Sequence, residues 1–290
     1  MPSPRSVSAL ATALGGLAIV LWGTNIRVSR HLTEQLGTFS TAAIVFLSAG
    51  LLGCLLLVSP AYRRDLRQLP LKYLLVCGTL MVLNNLFIYL ALGYAHSRAA
   101  VVGVIIANYL WPGLTLLLAI PLLGQRVRPL TLIAGLLAST GGVILAVDGK
   151  DLSLGVLSAA ATMLPVAAAG LAAVCWALYS NLARRWAGDA PATGMPLFLL
   201  ATGVSLAIVR SFVHETSQLK PTIVLELVFL ILFPTLLAYV LWDHAFRRGN
   251  PTLLATTSYF IPVLAMLTGS WVLRLAALLA WRQAGSEQYR

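Results

Sequence analysis

Near the middle of the chain, Asn108-Tyr109-Leu110-Trp111 places an amide, a phenol and an indole just before Pro112-Gly113. These residues interrupt the stretch 99–123, which has no charged residue and is long enough to cross a bilayer. Their groups hydrogen-bond without carrying charge, and the proline has no backbone N–H to donate. At mid-membrane such groups cost free energy unless they face protein or a water-filled cavity. The chemistry they suit is non-covalent: stacking on a ring, and hydrogen bonds to the ends of a small polar molecule. The stretch reads as the wall of a substrate passage, or as a kinked structural helix whose Asn and Tyr bond a neighbouring helix.

Helical spacing gathers residues of the same kind elsewhere. Trp22 and Asn25 share a face of the first apolar span, Asn85 and Tyr89 of the third, Trp176 and Tyr179 of the sixth, Tyr239 and Trp242 of the eighth. Ser258 and Tyr259 stand in the ninth where Asn108 and Tyr109 stand in the fourth. The candidate substrate-binding set is therefore Trp22, Asn25, Asn85, Tyr89, Asn108, Tyr109, Trp111, Trp176, Tyr179, Tyr239, Trp242, Ser258 and Tyr259, with Pro112 and Pro262 as candidate gating hinges. A mostly apolar lining with a few hydrogen-bonding groups fits a ligand with an apolar body and ammonium and carboxylate ends. Plainer readings stand beside this one: Trp22 and Trp242 as interfacial belt residues, Asn84 and Asn85 as helix–helix adhesion, the prolines as passive kinks.

Catalytic signatures are missing. The chain has no HExxH, GxSxG or GxxxxGK[ST] motif and no pair of intramembrane carboxylates. No enzymatic activity, cofactor or metal site is expected. Asp243, His244, Glu226 and His96 lie near span ends, so a mid-membrane proton or sodium relay has no obvious carrier. Asp243 reads either as a coupling carboxylate or as the i, i+4 partner of Arg247.

The elements that must position these residues are membrane helices. Of 290 residues, 59% are hydrophobic and 10% charged, where a soluble domain carries about 25% charged residues. Mean hydropathy is +0.87. Uncharged runs mark nine clear spans at about 8–26, 39–58, 71–93, 99–123, 129–147, 156–183, 195–213, 222–246 and 251–273. The first follows a short basic start but outruns a signal peptide and is read as a retained helix. The net charge of +11 lies in short loop clusters, which argues against nucleic acid as a partner. Arg5, Arg63, Arg64, Arg67, Lys72, Arg126, Arg128, Arg184, Arg185, Arg247 and Arg248 fall on one side, against Arg27, Arg30, Arg98, Lys150, Arg210 and Lys220 on the other. The positive-inside rule places the N-terminus in the cytoplasm. Cys54, Cys77 and Cys175 lie within apolar spans and read as small core residues, not a disulfide framework.

The chain also repeats itself. Gly16–Trp22 matches Gly170–Trp176, and further on Tyr89, Ala95, Tyr109 and Pro112 match Tyr239, Ala245, Tyr259 and Pro262. A repeat of five helices reverses direction across the membrane, which gives an inverted repeat with a site between the halves. The expected fold is an all-α integral membrane protein of ten transmembrane helices in two five-helix units, 1–150 and 151–290. The tenth helix is expected to be truncated: Leu275–Trp281 alone is too short to span a bilayer. Gly135, Ser139 and Gly142 are read as close-packing positions of the fifth span.

The repeat and the proline-bearing fourth and ninth spans resemble the drug/metabolite transporter superfamily, EamA-type. Within it, Ile106–Pro112, Ala238–Gly249 and Ser258–Pro262 are similar to the YddG branch, the bacterial aromatic amino acid exporters. That resemblance implies export of aromatic amino acids and related amphipathic solutes across a bacterial inner membrane by alternating access. The expected partners are that small-molecule substrate and membrane lipid, and the expected working unit is a monomer, with an oligomer left open. Competing readings are a broader drug/metabolite or nucleotide-sugar carrier, and a non-transporting membrane scaffold or embedded enzyme. A phosphorylated substrate would need cavity-facing Lys or Arg, which the mid-membrane spans lack.

Overall fold

A computed structural model describes residues 8–126 and 160–265 except 189 and 219, with 130, 133, 137 and 267 as single positions. The fifth span with its close-packing residues Gly135, Ser139 and Gly142, the boundary at 150 and the short tail after 273 lie outside the described residues. Within them the protein is all helix. Six helical stretches are long and apolar enough to cross a membrane: Ala9–Leu36, Thr38–Val58, Tyr73–Gly93, Arg98–Leu123, Thr162–Ala187 and Pro221–Arg248. Two shorter apolar helices, Met195–Ser211 and Pro251–Ala265, join them. Together these occupy every expected span except the fifth.

Local chemistry sets the helix limits. Helix α1 (Ala9–Leu36) is capped by Ser8, whose hydroxyl accepts from the Ala11 N–H at 3.2 Å. It ends at Gly37, where φ is 91°, a conformation that glycine adopts without the Cβ clash. Helix α2 (Thr38–Cys54) starts at once, and α3 (Pro60–Arg67) is a short amphipathic helix outside the spans, capped by Ser59 with Pro60 in its first turn. Helix α4 (Gly78–Gly93) is preceded by a π-helical turn at Tyr73–Cys77.

The fourth span is broken where the polar stretch sits. Helix α5 (Arg98–Asn108) stops, Tyr109 and Leu110 form a turn, and α6 (Trp111–Leu123) begins with Pro112 in its first turn. Pro112 has no N–H to offer the Asn108 carbonyl, so the ladder is interrupted there. The ninth span changes pitch at the matching place: a helix over Pro251–Thr257 passes into a 3₁₀ turn at Ser258–Phe260 just ahead of Pro262 and then resumes. Pro112 thus opens the segment after a turn, whereas Pro262 follows a change of helical pitch within the single stretch Pro251–Ala265.

Between these lie α7 (Ala160–Ala187), α8 (Met195–Ser211), α9 (Val224–Leu230) and α10 (Ala238–Arg248), the last two joined by a π-helical turn at Ile231–Leu237 that contains Pro234. Helices α2 and α8 pack closely along their length. A Cβ on Gly50 would collide with the Leu200 backbone, and one on Gly203 with the Leu47 backbone. Position 50 meets 200 and position 47 meets 203, so the two helices run antiparallel. Gly203 lies 153 positions after Gly50, and Leu200 lies 153 after Leu47. The contact therefore maps onto itself under a two-fold exchange of the helices.

The ends of the bundle are distinct. At one, the Ser8 N–H bonds the Arg248 carbonyl at 3.2 Å and the Asn250 N–H bonds Thr12 Oγ1 at 2.9 Å. At the other, the Gln218 N–H bonds the Gln35 carbonyl at 3.0 Å and Glu226 meets His31 at 2.7 Å. Arg184 and Arg247 make their hydrogen bonds at the first end, and Arg210 and Lys220 make theirs at the second.

Candidate functional site

Aromatic side chains from α1, α6, α7 and α10 converge between the two ends. Trp22 has ring centroids 5.5 Å from Trp176, 5.7 Å from Tyr239 and 5.3 Å from Trp242. Trp111 lies 5.9 Å from Trp176 and 5.5 Å from Trp242. Trp176 also touches Tyr179 at 5.6 Å and Tyr239 at 5.7 Å, so it sits at the hub of five rings. Tyr89 joins through Phe46, which contacts Tyr89 and Tyr239 at 5.9 Å each. Most of these pairs meet edge to face, the arrangement that the ring quadrupoles favour. Trp22 and Trp242 belong to this interior and not to an interfacial belt; Trp242 is fully buried.

Polar atoms in and around the cluster divide into satisfied and unsatisfied. The Trp22 indole donates to the Pro234 carbonyl at 3.0 Å, in the turn where the proline disturbs the helical ladder. The Trp242 indole donates to Ser180 at 3.3 Å. Tyr239 donates to Asn85 Oδ1 at 3.0 Å, and Asn85 Nδ2 returns to its own helix at the Met81 carbonyl, 2.9 Å away. The Trp176 indole N–H, the Asn181 Oδ1 and the Tyr259 hydroxyl are buried with no partner among the described residues. A buried orphan donor or acceptor costs about 1–3 kcal/mol, so an incoming group that pairs with it gains that much.

Other sequence candidates lie around this core. Asn108 and Tyr109 are half-buried at the helix break, and their side chains make no hydrogen bond among the described residues; Tyr109 packs against the same core. Pro112 is buried after the turn and Pro262 after the 3₁₀ turn. Ser258 is fully buried and bonds the Leu254 carbonyl at 2.7 Å, while Asn25 pairs with Ser29 on its own helix. No ring contact or hydrogen bond among the described residues ties Asn25, Ser258 or Tyr259 to the aromatic hub.

Tyr179 has a second role. Its hydroxyl donates to Asp243 at 2.7 Å, as do Thr193 at 2.7 Å and Tyr73 at 3.2 Å, while Arg247 forms an ion pair with the same carboxylate at 2.9 Å. Both charged side chains are essentially inaccessible, 1% and 0% exposed. Arg247 also caps the end of α7 at the Ala187 carbonyl, 2.7 Å away, and holds the Ala192 carbonyl of the following loop at 3.0 Å. Arg184 on α7 returns the favour at the end of α10, bonding the Phe246 and Gly249 carbonyls at 2.8 Å. Tyr62 on α3 reaches the Thr193 carbonyl at 2.7 Å, and burial pushes its hydroxyl up to about 12, so it is a donor at any physiological pH. This end is locked by a desolvated network. Of it, the spacing Asp243–Arg247 was readable in the sequence; Tyr73 and Thr193 come from 170 and 50 residues away and left no local signal.

The opposite end is held differently. Glu215 accepts from the Phe39 and Ser40 N–H groups at 2.8 Å each, capping the start of α2 from the loop after α8. Arg210 pairs with it at 3.2 Å. This latch is 12–31% exposed and hence wetter than the Asp243 network.

Apolar helices enclosing an uncharged aromatic interior define a multi-pass membrane protein. The chain belongs to the EamA-like transporter family, whose model matches residues 10–147 and 163–279. It is 34% identical over 260 residues to the aromatic amino acid exporter YddG of Escherichia coli strain K12, covering 88% of this chain and 86% of that protein. It is 32% identical over 258 residues to the YddG exporter of Salmonella typhimurium strain 14028s, with the same coverage. The YddG exporter of Ancylobacter novellus is 29% identical over 263 residues, covering 89% of this chain and 86% of the relative. A solved crystal structure superposes with a TM-score of 0.76 at 28% identity, covering 94% of this chain and 89% of its own.

Proposed function

We propose that this chain is a secondary transporter that exports aromatic amino acids and related amphipathic metabolites across a bacterial inner membrane by alternating access. The observation that carries the reading is the hub at Trp176: a buried indole N–H with no partner among the described residues, surrounded by five rings. A substrate ring entering the hub replaces the ring contacts it displaces, each worth roughly 0.5–1.5 kcal/mol beyond burial. An aliphatic solute breaks the same contacts without replacing them. Two such contacts favour an aromatic solute by roughly ten- to a hundredfold. The Trp176 N–H supplies a donor for the substrate carboxylate, and Asn85, Asn108 and Tyr109 supply uncharged partners for its other end. Trp22, Tyr89, Trp111, Tyr179, Tyr239 and Trp242 form the stacking surface, with Asn25, Ser258 and Tyr259 along the path.

The architecture proposed is ten transmembrane helices in two inverted units, 1–150 and 151–290, acting as a monomer with a cytoplasmic N-terminus. The antiparallel, self-equivalent contact of α2 with α8 supports the inversion, as does the contact of Trp22 with its repeat counterpart Trp176. Export then alternates between opening the Glu215 latch and opening the Asp243 network, with flexing at the turn ahead of Pro112 and the 3₁₀ turn ahead of Pro262. Uptake of labelled tryptophan, phenylalanine and threonine into proteoliposomes tests the function. Saturable transport of the two aromatic solutes with threonine far behind is expected; no saturable aromatic transport refutes it.

A further inference from the structure

Helix α3 lies outside the spans and carries Arg63, Arg64 and Arg67 on eight residues. Arg64 is engaged by Asp65 at 3.3 Å, and nearby Lys72 lies 5.4 Å over the Trp186 ring. Arg63 and Arg67 stand one turn apart on one face, exposed, and neither meets a carboxylate among the described residues. With Pro60, Arg64 and Gln68 they line an open groove of about 450 Å³. Immediately before and after the helix, Leu55, Val58 and Leu71 are 63%, 77% and 68% exposed.

We propose that this groove binds the phosphate of an anionic phospholipid, with the headgroup on Arg63 and Arg67 and the acyl chains along Leu55, Val58 and Leu71. Guanidinium forks match phosphate oxygens two at a time, and two of them a turn apart can grip one phosphodiester. A choline headgroup brings a cation that this face repels. The exposed apolar residues on both flanks suit a ligand with hydrocarbon tails and offer nothing to a soluble phosphate. Positive-inside orientation alone needs only charge in this loop; it does not need paired arginines beside a groove. The opposite face of α3 carries Tyr62, whose hydroxyl holds the Thr193 carbonyl, and the Thr193 hydroxyl holds Asp243. A lipid seated on α3 therefore braces the loop that completes the buried network. The inference is independent of which solute is carried.

The test uses the full chain, purified in detergent and stripped of lipid, titrated with phosphatidylglycerol or phosphatidylcholine of matched acyl chains. Native mass spectrometry counts retained lipid and thermal unfolding reads stabilisation. Phosphatidylglycerol is expected to be retained and to raise the unfolding temperature, and phosphatidylcholine to do neither. Each arginine near an anionic headgroup contributes about a factor of five, so the double variant R63Q/R67Q is expected to bind phosphatidylglycerol about thirtyfold more weakly. The double variant R27Q/R30Q, at the other end of the bundle, is expected to bind it as the wild type does. A loss under threefold in R63Q/R67Q, equal retention of phosphatidylcholine, or the same stabilisation by inorganic phosphate alone overturns the proposal.

Discussion

Asp243→Asn separates the two roles open to this carboxylate. In the structure it receives Tyr179, Thr193, Tyr73 and Arg247 within 2.7–3.2 Å, with no access to solvent. Neutralising it leaves the Arg247 charge buried, held by the carbonyl oxygens of Ala187, Ala190 and Ala192 and lying over the Tyr73 ring, with no anion to pair with among the described residues. Removing one partner of a buried ion pair costs about 3–5 kcal/mol. The surviving carbonyl bonds of Arg247 keep the expected loss at the lower end, about 3 kcal/mol. For a chain of this size that lowers the unfolding temperature by roughly 6–12 °C. The assay pairs thermal unfolding of the purified chain with proteoliposome uptake in the presence and absence of an imposed pH gradient. A latch predicts the stability loss together with an unchanged response to the gradient. An unchanged unfolding temperature together with loss of the gradient response refutes the latch and makes Asp243 the coupling group.

Trp176→Phe keeps a ring at the hub and removes the orphan N–H; it is expected to leave unfolding temperature unchanged or slightly higher while raising the KM for tryptophan about tenfold, as read by uptake kinetics. Asn108→Ala and Tyr109→Ala are expected to reduce transport without loss of folded protein, and unchanged rates in both would make the helix break purely structural. Gly203→Val drives a side chain into the Leu47 backbone, and Gly50→Val into that of Leu200; each is expected to cost about 3 kcal/mol in thermal unfolding, and unequal losses would refute the two-fold contact. Glu215→Gln weakens the cap on α2 by about 1 kcal/mol, read as a small fall in unfolding temperature.

Much of the scaffold was legible because lipid imposes a simple rule. A helix that must satisfy its own backbone needs a long uncharged run, and such runs stand out in any single sequence. The break at Asn108–Pro112 and its echo at Ser258–Pro262 were readable for the same reason, since proline removes a donor wherever it stands. Residue type and i, i+3 spacing picked out the aromatic hub, and i, i+4 spacing paired Asp243 with Arg247. What tertiary structure alone decided is which of these groups are already spoken for. Tyr179 is committed to Asp243, Trp22 to the carbonyl of Pro234, Ser258 to its own helix, whereas the N–H of Trp176 has no partner among the described residues. Those assignments depend on contacts up to 212 residues apart in the chain. Hydrogen bonding is short-ranged and directional, so a one-dimensional pattern can place a donor on a face but cannot say what stands opposite it.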